Sequence, residues 1–211
     1  MLYLVRRGSE YSIHVDGREL MASSLHGSED ALSNLACDRL ARLEEARILV
    51  GGMGMGFTLA AALRRVGDRG SVTVAELSAG VVRWNELYFG DCAGYPLKDP
   101  RTNLYVGDVG DLVETPPAPW SAILLDVDNG PNALTHPDNG WLYTPAGLEA
   151  ARDALIPGGI LGVWSAAPDD DFTLRLRDAG FAAEVLPFTE DERLTPDDTG
   201  VHVLWMGRRL G

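Results

Sequence analysis

The sequence predicts an α/β fold in which helices cover both faces of a parallel sheet, preceded by a small antiparallel β-meander. From residue 47 onward, apolar strand-like segments alternate with helix-like segments, a pattern typical of parallel sheets. A glycine-rich turn joins the first of these strands to a helix. Before them, short apolar segments flank an Asp-Gly pair, which is a strong signal for a β-hairpin.

Residues 1–25 are predicted to form the β-meander, with strands in LYLVR, YSIHV and RELMA. The following segment, HGSEDALSNLACDRLARLEE, is predicted to be a helix because its apolar residues recur at helical spacing. Ser28 is expected to cap this helix, with Glu29 and Asp30 in its first turn. Residues 26–211 are predicted to form one domain.

Seven strands of the main sheet are predicted in RILVG, SVTVAEL, TNLYVGD, SAILLDVD, ILGVWS, AAEVLPF and VHVLWMG. Helices are predicted between them in FTLAAALRRVG, AGVVRWNELYF, TPAGLEAARDALIPGG and DFTLRLRDAG. The third of these helices is expected to end at Pro157 and two glycines. The charged segment TEDERLTPDDTG is predicted to be the least ordered part of the chain.

Composition excludes several classes of function. The chain has 211 residues and a formal net charge of −13, with Lys98 as its single lysine, which opposes nucleic-acid binding because phosphates require clustered cations. It contains no apolar run of about 18 residues that would predict a membrane span, and a cytoplasmic location is expected. Cys37 and Cys92 lack ligand-like spacing, so reduced, structural thiols and no metal are predicted.

The glycine-rich turn lies in RILVGGMGMGFTLAAAL, residues 47–63. A strand that enters such a turn and then a helix presents backbone N–H groups to a ligand. Gly52, Gly54 and Gly56 form G-x-G-x-G, whereas Phe57 occupies the third glycine position of the dinucleotide fingerprint. The lysine that follows the last glycine of a phosphate loop is missing here, so a phosphate loop is excluded. A tight turn without a ligand and a nicotinamide dinucleotide site remain open as alternatives.

Carboxylates follow the next two predicted strands. Glu76, twenty residues past Gly56, is suited to accept hydrogen bonds from both hydroxyls of a ribose. Asp108 is suited to accept from an adenine amino group, to cap a short helix, or both. Because the ends of parallel strands line one crevice, these residues predict an adenosine compound without a pyrophosphate.

These motifs resemble the class I S-adenosylmethionine-dependent methyltransferase fold, and the chain is most similar to its spermidine-synthase-like branch. The resemblance includes the meander, the Gly-Gly-x-Gly-x-Gly run, the Gly-Asp pair, DVDNGP and WLYTPAGLEAA. It implies a Rossmann-like, mostly parallel sheet, an amine-bearing small-molecule substrate, a homodimer, and S-adenosylmethionine or its decarboxylated form as co-substrate. The co-substrate would be held by Gly51, Gly52, Gly54, Gly56, Glu76, Asp108 and Val109.

Two carboxylates come directly after the buried strand SAILL, at Asp126 and Asp128. Carboxylates beside a buried strand are costly unless they are used or paired. An attacking amine must lose a proton that it holds to a pKa of about 10. The resemblance implies that Asp126 is the general base and that Asp128 holds the cationic amine. The alternative is that both carboxylates bond only to the loop backbone at residues 129–130.

Further substrate contacts are expected from the segment that follows. Trp141 and Tyr143 are candidates for a cation–π contact with the amine, and His136 lies in a lid-like loop from which it would reach the substrate. Ser165 ends a predicted strand and is a further candidate, whereas Trp164 is interpreted as core.

Three readings of the function remain. Arg18 stands near the position of a family glutamine, and the family's Tyr-His-Glu motif is absent. One reading is an enzyme that transfers an aminopropyl or a methyl group to an amine; pairing of Arg18 or Arg47 with the amino-acid carboxylate would favour ordinary S-adenosylmethionine. The second is a non-catalytic nucleoside-binding homologue, and the third is a nicotinamide oxidoreductase.

Overall fold

The computed structural model describes residues 1–127, 130, 131, 137–189 and 201–211, without the side chains of Arg18 and residues 137–139. The strands are β1 (Leu2–Arg7), β2 (Glu10–Val15), β3 (Arg18–Ala22), β4 (Arg47–Gly51), β5 (Ser71–Glu76), β6 (Thr102–Val106), β7 (Trp120–Leu125), β8 (Leu155–Ser165), β9 (Phe181–Phe188) and β10 (His202–Arg209). The α-helices are α1 (Gly27–Asp38), α2 (Phe57–Arg65), α3 (Ala79–Trp84), α4 (Val109–Glu114), α5 (Pro145–Ala154) and α6 (Asp170–Asp178).

The main sheet has seven strands in the order β6-β5-β4-β7-β8-β10-β9. The first five are mutually parallel, and β10 runs antiparallel to both β8 and β9. This confirms the predicted seven-stranded, mostly parallel sheet. Since β5 lies on one side of β4 and β7 on the other, the strand order reverses at β4, where open α/β sheets form a ligand crevice.

Helices cover both faces of this sheet because each contributes an apolar stripe to one of two cores. Helices α1 and α2 bury Leu32 and Leu59 against one face. Helices α4, α5 and α6 bury Val113, Leu148 and Leu176 against the other. Of the strands between these layers, β4 and β7 are almost fully buried and β5 largely so, as expected for central parallel strands.

The N-terminal meander forms as predicted, with β1, β2 and β3 paired antiparallel. Asp16 and Gly17 both have positive φ, at 48° and 85°, as the favoured two-residue hairpin turn requires. The buried Ile13 packs in a small core with Met55 and Phe57, which flank the last glycine of the turn after β4. The meander is therefore anchored directly beside the glycine-rich turn.

The predicted cap of the first helix was wrong. Helix α1 begins at Gly27, and the residue before it, His26, makes no side-chain cap. The His26 ring instead stacks on Phe57 with 4.2 Å between ring centroids, and its Nδ1 lies 3.1 Å from Asp30 Oδ2. Ser28 is inside the helix, where its hydroxyl donates to the Glu29 carboxylate.

The predicted end of the helix before β8 was also wrong. Helix α5 ends at Ala154, so Pro157 and the glycines that follow belong to β8. The pairing of β7 with β8 shifts register between Trp120 and Ala122, and this irregularity absorbs the proline and glycines at the strand's start.

Both cysteines are free thiols, as predicted, and burial raises the pKa of Cys37 to about 11. Among the helices that the structure describes, none has the length and hydropathy needed to cross a membrane.

Candidate active site

A cavity of about 340 Å³ lies at the carboxyl ends of β4 to β7, under the N-terminal meander. Its walls contain two of the glycines, the predicted acids that follow β5, β6 and β7, and apolar side chains from the meander. The crevice predicted from the strand pattern therefore exists, and the meander covers it.

The glycine-rich turn is crowded by the protein itself. Gly52 has a φ of +84°, and a Cβ there would lie 2.2 Å from the carbonyl oxygen of Asp126. At Gly54 a Cβ would lie 2.7 Å from Met21 Sδ, and at Gly56 it would lie 2.9 Å from a Pro96 ring carbon. Gly51 faces core side chains rather than the cavity. Gly52 and Gly54 also line the cavity. The lack of a side chain at these two positions therefore allows close packing with the protein and also leaves their backbone open to a ligand in the cavity.

Replacing Gly52 with alanine is expected to destabilise the fold, because the new Cβ would push the end of β7 and Asp126 away. Left-handed strain alone costs about 1–3 kcal/mol, and the clash adds to it. The matched control is Gly8→Ala, since Gly8 has a φ of +66° with nothing within 4 Å of its Cβ position. Thermal unfolding should show a larger loss of stability for Gly52→Ala, and equal losses would contradict the close approach of Asp126.

Glu76 is fixed at the cavity wall by two backbone donors. Its Oε2 accepts from the Met53 amide at 3.0 Å, and its Oε1 accepts from the Ser78 amide at 2.8 Å. Each carboxylate oxygen can accept more than one hydrogen bond, so this geometry leaves capacity for two ligand hydroxyls. The carboxylate also ties the glycine-rich turn to the end of β5.

Asp108 caps helix α4, since its Oδ1 accepts from the Gly110 amide at 2.8 Å. It also lines the cavity, next to Val109. The structure thus shows the capping role that the sequence predicted, and it places Asp108 where the predicted ligand contact is possible.

Asp126 is half-buried and interacts with the buried side chains of Thr58 and Glu29. Its amide donates to the Gly51 carbonyl at 2.9 Å, and its Oδ2 accepts from Thr58 Oγ1 at 2.6 Å. Burial, together with the nearby Glu29 carboxylate, raises the pKa of Asp126 from 3.8 to about 7, against the lowering effect of the Thr58 hydrogen bond. A carboxyl group with a pKa near neutrality is suited to general acid–base work.

Glu29 is a site residue that the sequence did not reveal. It was predicted only as a first-turn acid of the helix, yet it is 9% exposed and lines the same cavity as Asp126. Its Oε2 accepts from Ser28 Oγ at 2.6 Å. Acids are common in first turns of helices, so no local pattern distinguishes this one.

Three other residues that the sequence predicted as ligand contacts do not line the cavity. Tyr143 is 3% exposed and meets Phe172 edge to face within the core, 5.8 Å between centroids. Trp141 packs against the same core, and neither lines the cavity. Arg47, at the amino end of β4, lies over the Trp120 ring at 5.0 Å and is remote from the turn after Gly51.

Three predicted residues cannot be placed. Asp128 and His136 lie outside the described residues, as does the side chain of Arg18. Ser165 is buried, and its hydroxyl donates to the Ala167 carbonyl at 2.7 Å. Trp164, interpreted from the sequence as core, packs against the core and also contributes to the cavity wall.

The cavity is electronegative. Four carboxylates line it, and among the described side chains of its wall there is no Lys, Arg or His. Such a site favours a cationic ligand. Within the described residues, no three His, Cys, Asp or Glu side chains are grouped to hold a metal ion. The four carboxylates are Glu29, Glu76, Asp108 and Asp126.

No family model and no curated protein sequence matches the chain. Solved structures do match it across most of its length. Spermidine synthase from Thermotoga maritima has a TM-score of 0.74 and 17% identity, covering 98% of this chain and 72% of that one. A spermidine synthase in complex with the transition-state analogue AdoDATO has a TM-score of 0.77 and 18% identity, covering 98% and 73%.

The O-methyltransferase TomG from Streptomyces achromogenes, in complex with SAM, has a TM-score of 0.60 and 18% identity, covering 88% of this chain and 80% of that one. These likenesses confirm the Rossmann-like class I methyltransferase fold that the sequence implied. The two spermidine synthases match almost the whole chain, and the match includes the meander.

Proposed function

We propose that the protein is a transferase that binds decarboxylated S-adenosylmethionine and transfers its aminopropyl group to an amine, with Asp126 as base. The observation that carries the proposal is the Asp126 carboxyl beside the glycine-rich turn, with a pKa raised to about 7. The matching folds include a spermidine synthase with AdoDATO bound and an O-methyltransferase with SAM bound, which supports a nucleoside of this type.

The adenosyl group would occupy the part of the cavity formed by the ends of β5 and β6. Glu76 would accept from the two ribose hydroxyls, and Asp108 from the adenine amino group. Leu77, Val81 and Val109 line this part of the cavity and would contact the adenine ring. The sulfonium would then lie over Gly52 and Gly54, near Asp126.

The charge of the cavity favours the decarboxylated nucleoside over S-adenosylmethionine. Both carry a sulfonium and an ammonium, which the four cavity carboxylates attract. Only S-adenosylmethionine adds a carboxylate, which Glu29 and Asp126 would repel. Arg47, a candidate partner for that carboxylate, is engaged with Trp120 instead.

Transfer requires a neutral amine held in line with the carbon–sulfur bond. The Asp126 carboxylate takes a proton from the acceptor ammonium, and desolvation within the cavity lowers the amine's pKa toward that of its partner. The freed lone pair attacks the aminopropyl carbon attached to sulfur. As the N–C bond forms, the electrons of the C–S bond pass to sulfur, which leaves as the neutral thioether methylthioadenosine.

Titration calorimetry with three nucleosides tests the proposal. Decarboxylated S-adenosylmethionine and methylthioadenosine should bind, and S-adenosylmethionine should bind at least tenfold more weakly than the decarboxylated form. Equal or tighter binding of S-adenosylmethionine would favour a methyltransferase, the second candidate, which the match to a SAM-bound O-methyltransferase supports. Binding of NAD in place of all three would exclude both.

A further inference from the structure

The meander gives the cavity an apolar wall, whereas the carboxylates come from α1 and from the carboxyl ends of β5, β6 and β7. Five side chains form this wall, from all three strands of the meander: Leu2, Ile13, Val15, Leu20 and Met21. Trp164, at the end of β8, adds a further apolar surface. A diamine acceptor could be held through its two ammonium groups by carboxylates alone. The apolar wall would contribute nothing to that kind of binding.

A β-bulge builds part of the wall. In a regular strand neighbouring side chains point to opposite faces, yet the consecutive residues Leu20 and Met21 both line the cavity. The pairing of β2 with β3 shifts between Ile13 and His14, where Met21 pairs with Ile13 and Glu19 with His14. Leu20 is therefore the extra residue, and the bulge turns its side chain inward.

The apolar wall reaches the place where transfer would occur. Met21 lies against Gly54, since a Cβ on this glycine would be 2.7 Å from Met21 Sδ. Gly54 belongs to the turn over which the sulfonium would sit. An acceptor amine that faces Asp126 must then place the rest of its body near the meander.

We infer that the acceptor is a primary amine with an uncharged apolar body, an alkylamine or an arylalkylamine, whose nitrogen faces Asp126 and whose body lies on the meander wall. This inference rests on the proposed function and specifies its substrate class. A second ammonium on this wall would lose its hydration without gaining a partner among the described side chains there, which is costly. An alkyl or aryl group gains from the same burial.

A matched pair of amines tests the inference. Pentan-1-amine and butane-1,4-diamine have the same number of heavy atoms and differ in whether the far end is a methyl or an ammonium group. With decarboxylated S-adenosylmethionine, kcat/KM for pentan-1-amine should exceed that for the diamine by at least tenfold, and 2-phenylethylamine should also react. Formation of methylthioadenosine is the readout.

A charge placed on the wall should reverse the preference. Leu20→Asp is expected to lower kcat/KM for pentan-1-amine and to raise it for the diamine. Ser12→Asp is the matched control, because Ser12 lies on β2 outside the cavity wall and bonds His14 at 2.8 Å. This control should keep the wild-type ratio. Methylthioadenosine binding shows whether each variant remains folded.

The outcomes separate this inference from the proposed function. If wild-type protein binds methylthioadenosine but prefers the diamine, or uses none of the three amines, the inference is overturned and nucleoside binding still stands. If methylthioadenosine does not bind at all, the proposed function fails, and the inference fails with it. The ratio of kcat/KM values for pentan-1-amine and the diamine in the wild-type protein tests the inference even if Leu20→Asp does not fold.

Discussion

Asp126→Asn is expected to lower kcat by roughly 10²- to 10⁴-fold, the range typical of a lost general base, while nucleoside affinity changes only a few-fold. The amide keeps an oxygen that can accept from Thr58 Oγ1, which bonds Asp126 Oδ2 at 2.6 Å in the native protein. It cannot take the proton of the attacking amine. Turnover is measured as formation of methylthioadenosine, with binding of the same compound measured by calorimetry.

The control for this loss is Asp111→Asn, an exposed carboxylate on α4 that bonds the Tyr105 hydroxyl outside the cavity. It should retain wild-type turnover. Turnover by Asp126→Asn at the wild-type rate would show that another group accepts the proton. Wild-type protein that binds the nucleoside but alkylates no amine would instead support the non-catalytic reading.

The same substitution is expected to stabilise the protein at alkaline pH. Because burial and Glu29 raise the pKa of Asp126 from 3.8 to about 7, the folded state binds this proton more tightly than the unfolded state. The stabilisation is complete below pH 3.8 and is lost as the pH rises through about 7. Above that pH the native protein holds a costly charge that asparagine removes.

Melting temperatures at pH 5 and pH 8 measure this effect. Asp126→Asn should gain roughly 2–6 °C over wild type at pH 8, given that each kcal/mol shifts Tm by about 2–4 °C in a chain of this size. The gain should be smaller at pH 5, and Asp111→Asn should show no such dependence. If the melting temperatures of Asp126→Asn and wild type differ by the same amount at both pH values, the folded protein does not raise the pKa of Asp126.

Much of the fold was predictable because its signals are local. The buried runs of β4, β5 and β7 and the Asp16-Gly17 turn are specified within a few residues. The direction of the strands also placed Glu76 and Asp108 at one edge of the sheet. The same strand direction argues against Arg47, which the sequence left as a candidate, since Arg47 begins β4 and the glycines follow its far end.

The rest of the site depends on contacts between distant segments. Glu29 matters because it lies near Asp126, which is far away in the sequence, and the sequence of α1 carries no sign of this. The inward position of Leu20 depends on how β3 pairs with β2, and an apolar alternation pattern does not indicate a bulge. Tyr143 packs in the core against Phe172. The sequence pattern around Tyr143 does not distinguish an aromatic residue of the core from one that contacts a ligand.

Glu76→Gln is expected to weaken methylthioadenosine binding by about 100-fold, or roughly 2.7 kcal/mol. In the native protein both carboxylate oxygens accept from backbone amides, of Met53 and Ser78. A glutamine amide would present its NH₂ group to one of those two donors, which would displace the turn at Gly52. It would also remove the charge that strengthens hydrogen bonds from ribose hydroxyls. Glu114→Gln, at the exposed end of α4, is the control.

The 2′-deoxy form of methylthioadenosine separates ribose recognition from damage to the turn. With wild-type protein, removing the 2′-hydroxyl should weaken binding roughly 10- to 150-fold, because a hydrogen bond to a charged acceptor is worth roughly 1.5–3 kcal/mol. With Glu76→Gln, removing the 2′-hydroxyl should weaken binding much less, because the carboxylate that accepts its hydrogen bond is no longer present. Non-additivity of this kind identifies a direct interaction. If both proteins lose the same factor, Glu76 only braces the glycine-rich turn, and the ribose of the nucleoside is held by another group.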